Sequence, residues 1–241
     1  MKQEFNVIGL MSGTSLDGLD VCNVKFIYQS DQWNYTILAA ETYDYSLSIR
    51  ESLMAAHEMN AFDFLLFGKQ YGKYIGEIVN QFIRERNCTP DFIASHGHTI
   101  FHQTDKQLTC QIGDGAVIAA ETALSVICDF RSLDVALGGQ GAPLVPIGDK
   151  LLFADYDYCL NIGGFANISF ENNGQRFAYD TCPANIVLNY YANELGEKYD
   201  DGGRLASSGE IDIQLLDKLN KLEYYRQDYP KSLGREWVED N

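Results

Sequence analysis

A short run of hydroxyls, glycines and one carboxylate, Ser12-Gly13-Thr14-Ser15-Leu16-Asp17-Gly18, interrupts two apolar stretches near the start of the sequence. Val7 to Met11 is apolar before it; Cys22, Val24 and Phe26 alternate with Asn23 and Lys25 after it. That pattern is strand, tight loop, strand, a hairpin with a tip nearly bare of bulky side chains. Backbone N–H groups at such a tip reach an anion directly, and hydroxyls add donors. Ser12, Gly13, Thr14, Ser15 and Gly18 are therefore candidates for holding a phosphate. Asp17 would repel a phosphate on its own. It either organises Mg²⁺, directly or through water, or stabilises the turn as an Asx residue.

Three further clusters carry chemical possibilities. Asp134 follows Ser132 by two residues and precedes the bend Gly138-Gly139-Gln140-Gly141, where a carboxylate can project into a cleft and act as a general base. The same residue type also serves as a helix N-cap or a surface acid. Arg131 is the nearest cation in sequence, and its fork suits either an ion pair with Asp129 or a ligand carboxylate. Ser95-His96-Gly97-His98-Thr99, with His102 beyond, spaces three imidazoles at i, i+2 and i+6. No fourth Cys, Asp or Glu joins them at metal-site spacing.

The elements that position these groups follow from periodicity. Leu19 to Tyr28 and Trp33 to Tyr43, joined by Ser30-Asp31-Gln32, extend the first strand into a three-stranded antiparallel meander. Ser48 to Met59 is a candidate helix. Phe64, Phe67, Tyr71, Tyr74, Ile75, Ile78 and Phe82 recur at three and four, marking a long amphipathic helix that ends before Pro90. Phe92 to Ser95 reads as a short strand, Gly113 to Ala123 as loop into helix, and Ser125 to Asp129 as a strand. Tyr156 to Ser169 begins again with strand, Gly-containing turn and strand, echoing residues 5 to 28. Arg176 to Tyr179 is a third strand, and Asn185 to Leu195 and Ile211 to Leu222 are helices. The pattern predicts an α/β fold with two units, 1–155 and 156–241.

Two segments, Asp129 to Pro146 and Leu160-Asn161-Ile162-Gly163-Gly164-Phe165-Ala166-Asn167-Ile168-Ser169, together with the opening loop, resemble the anhydro-N-acetylmuramic acid kinases of the sugar kinase, Hsp70 and actin superfamily. The resemblance runs in order from Gly9 to about Arg235. It implies a ribonuclease-H-like (actin-like ATPase) fold, one complete domain plus part of a second, because family members are longer and carry a glycine-rich adenosine-binding turn with no counterpart here. It implies ATP and Mg²⁺, with Asn161, Gly163 and Gly164 forming a second phosphate clamp opposite the first. Asp134 matches the residue that activates water to open the sugar's 1,6-anhydro bridge. Ser95 and His96 match a stretch near the sugar; Arg131 would either meet the sugar's lactyl carboxylate or pair with Asp129. Asp180-Thr181 followed by Pro183-Ala184-Asn185 is similar to the family's D-T-G-P-G-N pattern, with Cys182 and Ala184 in place of two glycines. The competing expectation is a fragment or degenerate paralogue that binds sugar or a partner without turnover.

Composition narrows the partners. Lys and Arg number 18 against 34 Asp and Glu, a formal charge of −16, which disfavours nucleic acid and anionic membrane surfaces. The same field opposes ATP and an acidic amino sugar, so an anion site must rest on local N–H groups, metal and a few cations. No apolar run reaches the ~20 residues of a membrane span, and none reads as a secretory leader. Six scattered cysteines without a C-x-x-C pair read as buried, reduced thiols and a cytoplasmic location. The unfinished second sheet suggests a homodimer or association with a carboxy-terminal portion.

Overall fold

A computed structural model describes residues 3–13, 16–229 and 231–240. The chain forms two compact units, one running through Leu144 and the other from Val145.

The first unit is built on a six-stranded sheet. β1 (Gln3–Ser12), β2 (Gly18–Gln29) and β3 (Gln32–Asp44) form the expected antiparallel meander. β4 (Phe92–Gln103) lies parallel to β1 on its other side, β5 (Leu108–Ile112) returns antiparallel to β4, and β6 (Ser125–Cys128) pairs parallel with β4. The order β3-β2-β1-β4 with β6 beside β4 is that of a ribonuclease-H-like unit. Helices α1 (Leu47–Ala55), α2 (Ala61–Arg86) and α3 (Gly115–Thr122) complete it.

The apolar stripe of α2 does what its period demands. Phe67, Tyr71, Ile75, Val79 and Phe82 are buried and meet Ile8, Leu19, Val21, Ile93 and Ile118 in one core. Asn60 caps the helix start by accepting from the Asp63 N–H, and Asn87 ends it in the left-handed conformation. Gly76 permits α3 to approach, because a Cβ there would sit 2.6 Å from the Glu121 Cβ.

Four features depart from expectation. The candidate helix at Ser48 to Met59 ends at Ala55 and tightens into a 3₁₀ turn over Ala56–Glu58. β4 continues through the histidines to Gln103 instead of stopping at Ser95, supported by β5, a hairpin partner that the polar sequence Thr109, Gln111 did not advertise. Two short helices, α4 (Ser132–Ala136) and α5 (Val145–Leu152), lie between the expected strands ending at Asp129 and beginning at Tyr156, where periodicity named no element. The units also divide after Leu144, ahead of Asp155. α5 joins the later unit because Asp149 is hydrogen-bonded to Ser169 and lies 3.8 Å from Arg176.

The second unit holds an antiparallel meander of β7 (Tyr158–Ile162), β8 (Phe165–Asn172) and β9 (Gln175–Pro183), repeating the opening motif of the first. α6 (Asn185–Glu194), α7 (Arg204–Ser208), α8 (Ile213–Leu219) and α9 (Arg235–Asp240) follow. β7 is an edge strand whose Tyr158, Leu160 and Ile162 are exposed. All six cysteines are free, but none is fully buried and Cys128 is exposed. Cys88 lies past the end of α2, and the other five sit on strands at positions only partly covered or, for Cys128, open.

Candidate functional site

The opening hairpin divides into a tip and a buried base. Thr14 and Ser15 lie outside the described residues. Leu16 sits in the left-handed region and donates to the Gly13 carbonyl at 3.2 Å, closing the turn. Asp17 is exposed, and one of its carboxylate oxygens accepts from the Gly18 N–H at 3.1 Å. Gly18 is buried against β3: a Cβ there would lie 2.6 Å from the Tyr43 carbonyl oxygen. It therefore shapes the tip from beneath.

Ser12 faces inward, unlike the donor its loop position suggested. Its hydroxyl is buried among Tyr45, Tyr71 and His98. Ser12 Oγ, Tyr45 Oη and Tyr71 Oη form a mutual set, the tyrosine hydroxyls lying 2.7 and 3.0 Å from Ser12 and 2.7 Å from each other, and Ser12 meets His98 Nδ1 at 2.8 Å. Burial pushes the His98 pKa down to about 4, which keeps the ring neutral near pH 7. Tyr45 and Tyr71 are not legible as site residues, and His98 is legible only as one of three spaced imidazoles, not as the partner of Ser12. Tyr71 reads as one more aromatic on the core stripe of α2, and only the fold brings it beneath the loop.

The second cluster surrounds α4. Asp134 is exposed on this helix, and its Oδ2 accepts from the Gly141 N–H at 2.7 Å. A Cβ at Gly139 would collide with the same carboxylate. Arg131 turns to His96: its Nε and Nη2 approach His96 Nε2 at 3.0 and 2.8 Å, while Nη1 donates to the Gly141 carbonyl at 2.5 Å. Asp129 caps the start of α4, accepting from the Ser132 N–H at 3.3 Å. The three histidines do not converge. His98 serves Ser12, His96 serves Arg131, and His102 lies 3.1 Å from the Thr109 hydroxyl. Among the described residues no three His, Cys, Asp or Glu side chains gather as a metal cage. A single exposed carboxylate at a glycine-containing hairpin still fits Mg²⁺, which keeps most of its waters and takes one or two protein ligands. Asp17 is such a carboxylate.

Beside the second cluster lies a pocket of about 260 Å³ lined by Ser95, His96, Thr109, Gln111, Asp129 and Ser132, among others. The Ser95 hydroxyl is buried, 1% exposed, and has no hydrogen-bond partner. Leaving such a group unpaired costs on the order of 1–3 kcal/mol, so a polar ligand that reaches it recovers that cost. Hydroxyl, amide, imidazole and carboxylate groups around one cavity suit a polyhydroxylated molecule.

In the second unit, the turn at Gly163 and Gly164 is fastened to α6. The Ala184 and Ile186 N–H groups donate to the Gly164 carbonyl at 2.9 and 3.1 Å, and the Asn185 N–H donates to that of Gly163 at 3.1 Å. Asn161 and Gly164 remain exposed, and nothing lies within 4 Å of a Cβ built at Gly164. Asp180 is tied down by the later chain, accepting from the Leu233 N–H at 2.9 Å, while its carbonyl takes the Tyr224 hydroxyl at 2.6 Å.

A family model described as anhydro-N-acetylmuramic acid kinase matches residues 5–240. A protein of that name from Aliivibrio fischeri is 36% identical over 242 residues, covering 95% of this chain and 65% of its own length. One from Shewanella denitrificans is 37% identical over 253 residues, covering 96% of this chain and 67% of its own. The chain thus spans about two thirds of the length of such relatives. Among solved structures, an ethanolamine utilization protein from Carboxydothermus hydrogenoformans aligns over 83% of this chain and 59% of its own, at 11% identity and a TM-score of 0.34, too distant to carry an argument.

Proposed function

Because the chain belongs to the anhydro-N-acetylmuramic acid kinase family, we propose that it carries the sugar-binding and base-bearing part of an ATP-dependent kinase. The reaction opens the 1,6-anhydro ring of anhydro-N-acetylmuramic acid with water and phosphorylates the freed 6-oxygen, giving N-acetylmuramic acid 6-phosphate in cell-wall recycling. The observation that carries this reading is the pocket with the unpartnered Ser95 hydroxyl, walled by Ser132 at the start of the helix that bears Asp134.

Asp134 removes a proton from the attacking water as its oxygen bonds to the anomeric carbon. The bond from that carbon to O6 breaks, O6 takes the γ-phosphoryl group, and ADP leaves; the proton on Asp134 then returns to solvent. The exposed Asp134 oxygen not held by Gly141 is free to face the water. Gly13 offers a backbone N–H to phosphate, and in the second unit Asn161 and Gly164 offer groups of the same kind. Mg²⁺, held through Asp17, supplies charge neutralisation on the phosphates when bound.

A cytoplasmic location suits free thiols and a nucleotide substrate. No described helix is long and apolar enough to cross a membrane. The exposed β7 edge suits pairing with a second copy or with further polypeptide. Incubation of the protein as encoded with anhydro-N-acetylmuramic acid and Mg·ATP, followed by mass spectrometry, tests the reading. A product heavier by one water and one phosphoryl group is expected. Sugar binding with no product would instead establish the non-catalytic alternative.

A further inference from the structure

Arg131 spends its fork on two partners that carry no negative charge. Nε and Nη2 both point at one imidazole nitrogen, His96 Nε2, and Nη1 points at the Gly141 carbonyl. A nitrogen that receives two N–H groups must offer its lone pair, so His96 is neutral and its hydrogen resides on Nδ1, which donates to the Gly97 carbonyl at 2.9 Å. Burial and the neighbouring guanidinium both hold this ring below its ordinary pKa.

The other side of Gly141 holds Asp134 through its N–H. Gly141 itself has φ +62, and a Cβ there would lie 2.6 Å from Val135 Cγ2, so the loop has one way to sit against α4. An unbroken line of contacts therefore runs from Gly97 through His96, Arg131 and Gly141 to the carboxylate.

We propose that His96 and Arg131 are positioning residues, a couple that sets the Asp134 carboxylate through Gly141. The proposal rests on the assignment of Asp134 as the base. With Arg131 released, the end of the 138–141 bend at Gly141 loses its anchor, although Gly138 and Gly139 still bond to α4, and the carboxylate loses its fixed N–H. A displacement of about 1 Å at a reacting group costs roughly 10²-fold in rate.

The test compares His96→Leu, Arg131→Met and His96→Gln in the protein as encoded. The first two should lower kcat by about tenfold to a hundredfold, and with Arg131→Met, whose residue lies outside the pocket lining, the calorimetric Kd for the sugar should stay within about twofold. His96→Gln, which can place an amide oxygen where Nε2 lies, should recover most of the rate. In an Asp134→Asn background neither loss should appear again, since the couple acts only through that carboxylate. A raised sugar Kd with unchanged kcat, or losses additive with Asp134→Asn, overturns the proposal. Hydrogen exchange at the Gly141 amide reads the couple without turnover: it should be protected in the unsubstituted protein and His96→Gln, and unprotected in His96→Leu. Equal protection in all three overturns the couple. No turnover by the unsubstituted protein overturns the functional reading alone.

Discussion

Ser12 Oγ lies 2.8 Å from His98 Nδ1, joining the last residue of β1 to the middle of β4 directly beneath the phosphate-loop candidate. Ser12 faces the interior by alternation with Ile8 and Leu10, and β4 spends one residue more than β1 between Leu10↔Ser95 and Ser12↔His98, which brings the His98 side chain in beside it. Tyr45 and Tyr71 close the group from the end of β3 and from α2. The take-off of the hairpin is thereby tied to three elements. Removing one donor should be felt as stability: Tyr71→Phe is expected to lower unfolding free energy by about 1–2 kcal/mol. Urea denaturation reads this directly, and an unchanged midpoint would mean that the network contributes nothing.

Acid should weaken the first unit through His98. Its folded pKa of about 4 lies below the ordinary value near 6.5, so the unfolded chain binds the extra proton more readily. The stability due to the neutral ring is present above pH 6.5 and is lost as pH falls toward 4, by on the order of 3 kcal/mol. His98→Asn keeps a polar atom near the Nδ1 position but cannot titrate, so the slope of stability against pH between 6.5 and 4 should flatten. A slope identical to that of the parent would rule out His98 as its source.

Asp134→Asn preserves shape and removes the capacity to take a proton. Turnover should fall by roughly 10²–10⁴-fold with sugar affinity retained. Single-turnover kinetics against calorimetric binding separates the two quantities, and near-parental kcat would remove Asp134 as the base.

Gly139→Ala introduces a methyl group into the space occupied by the Asp134 carboxylate. The carboxylate or the bend must move, so kcat should drop about 10²-fold. Thermal stability should change little, because residue 139 lies outside the packed core. A fully active variant would show that this bend has room to yield.

In the second unit, Asp149, Ser169 and Arg176 form a buried polar group between α5, β8 and β9. Asp149→Ala strands the guanidinium and should cost about 3–5 kcal/mol, whereas pairing Asp149→Leu with Arg176→Met should recover much of it. Comparing the two denaturation midpoints checks the claim; equal losses would show that the charges are not coupled.

The local code of this protein is strong wherever one side chain's environment depends on its near neighbours. The 3–4 spacing of Phe67, Tyr71, Ile75 and Phe82 requires a helix with one buried face, and the alternation around Cys22 and Val24 requires a half-buried strand. Glycines and small residues at 13 and 18 mark the hairpin between strands. The motif around Asp134 was likewise legible, because a family's chemistry leaves residue types in order along the chain. What lay beyond reach was long-range pairing. β5 shows little apolar contrast and forms because β4 offers it an edge, and α4 is too short for a period to be read. The partners of Ser12 stand 33, 59 and 86 residues away, and those of Arg131 stand 35 and 10 away. A hydroxyl in a loop and an arginine beside an acid look available for a ligand in sequence. Only the tertiary structure decides whether they meet a ligand or the protein's own tyrosines, imidazoles and carbonyls, because hydrogen-bond capacity is consumed by whatever the folded chain brings within about 3 Å.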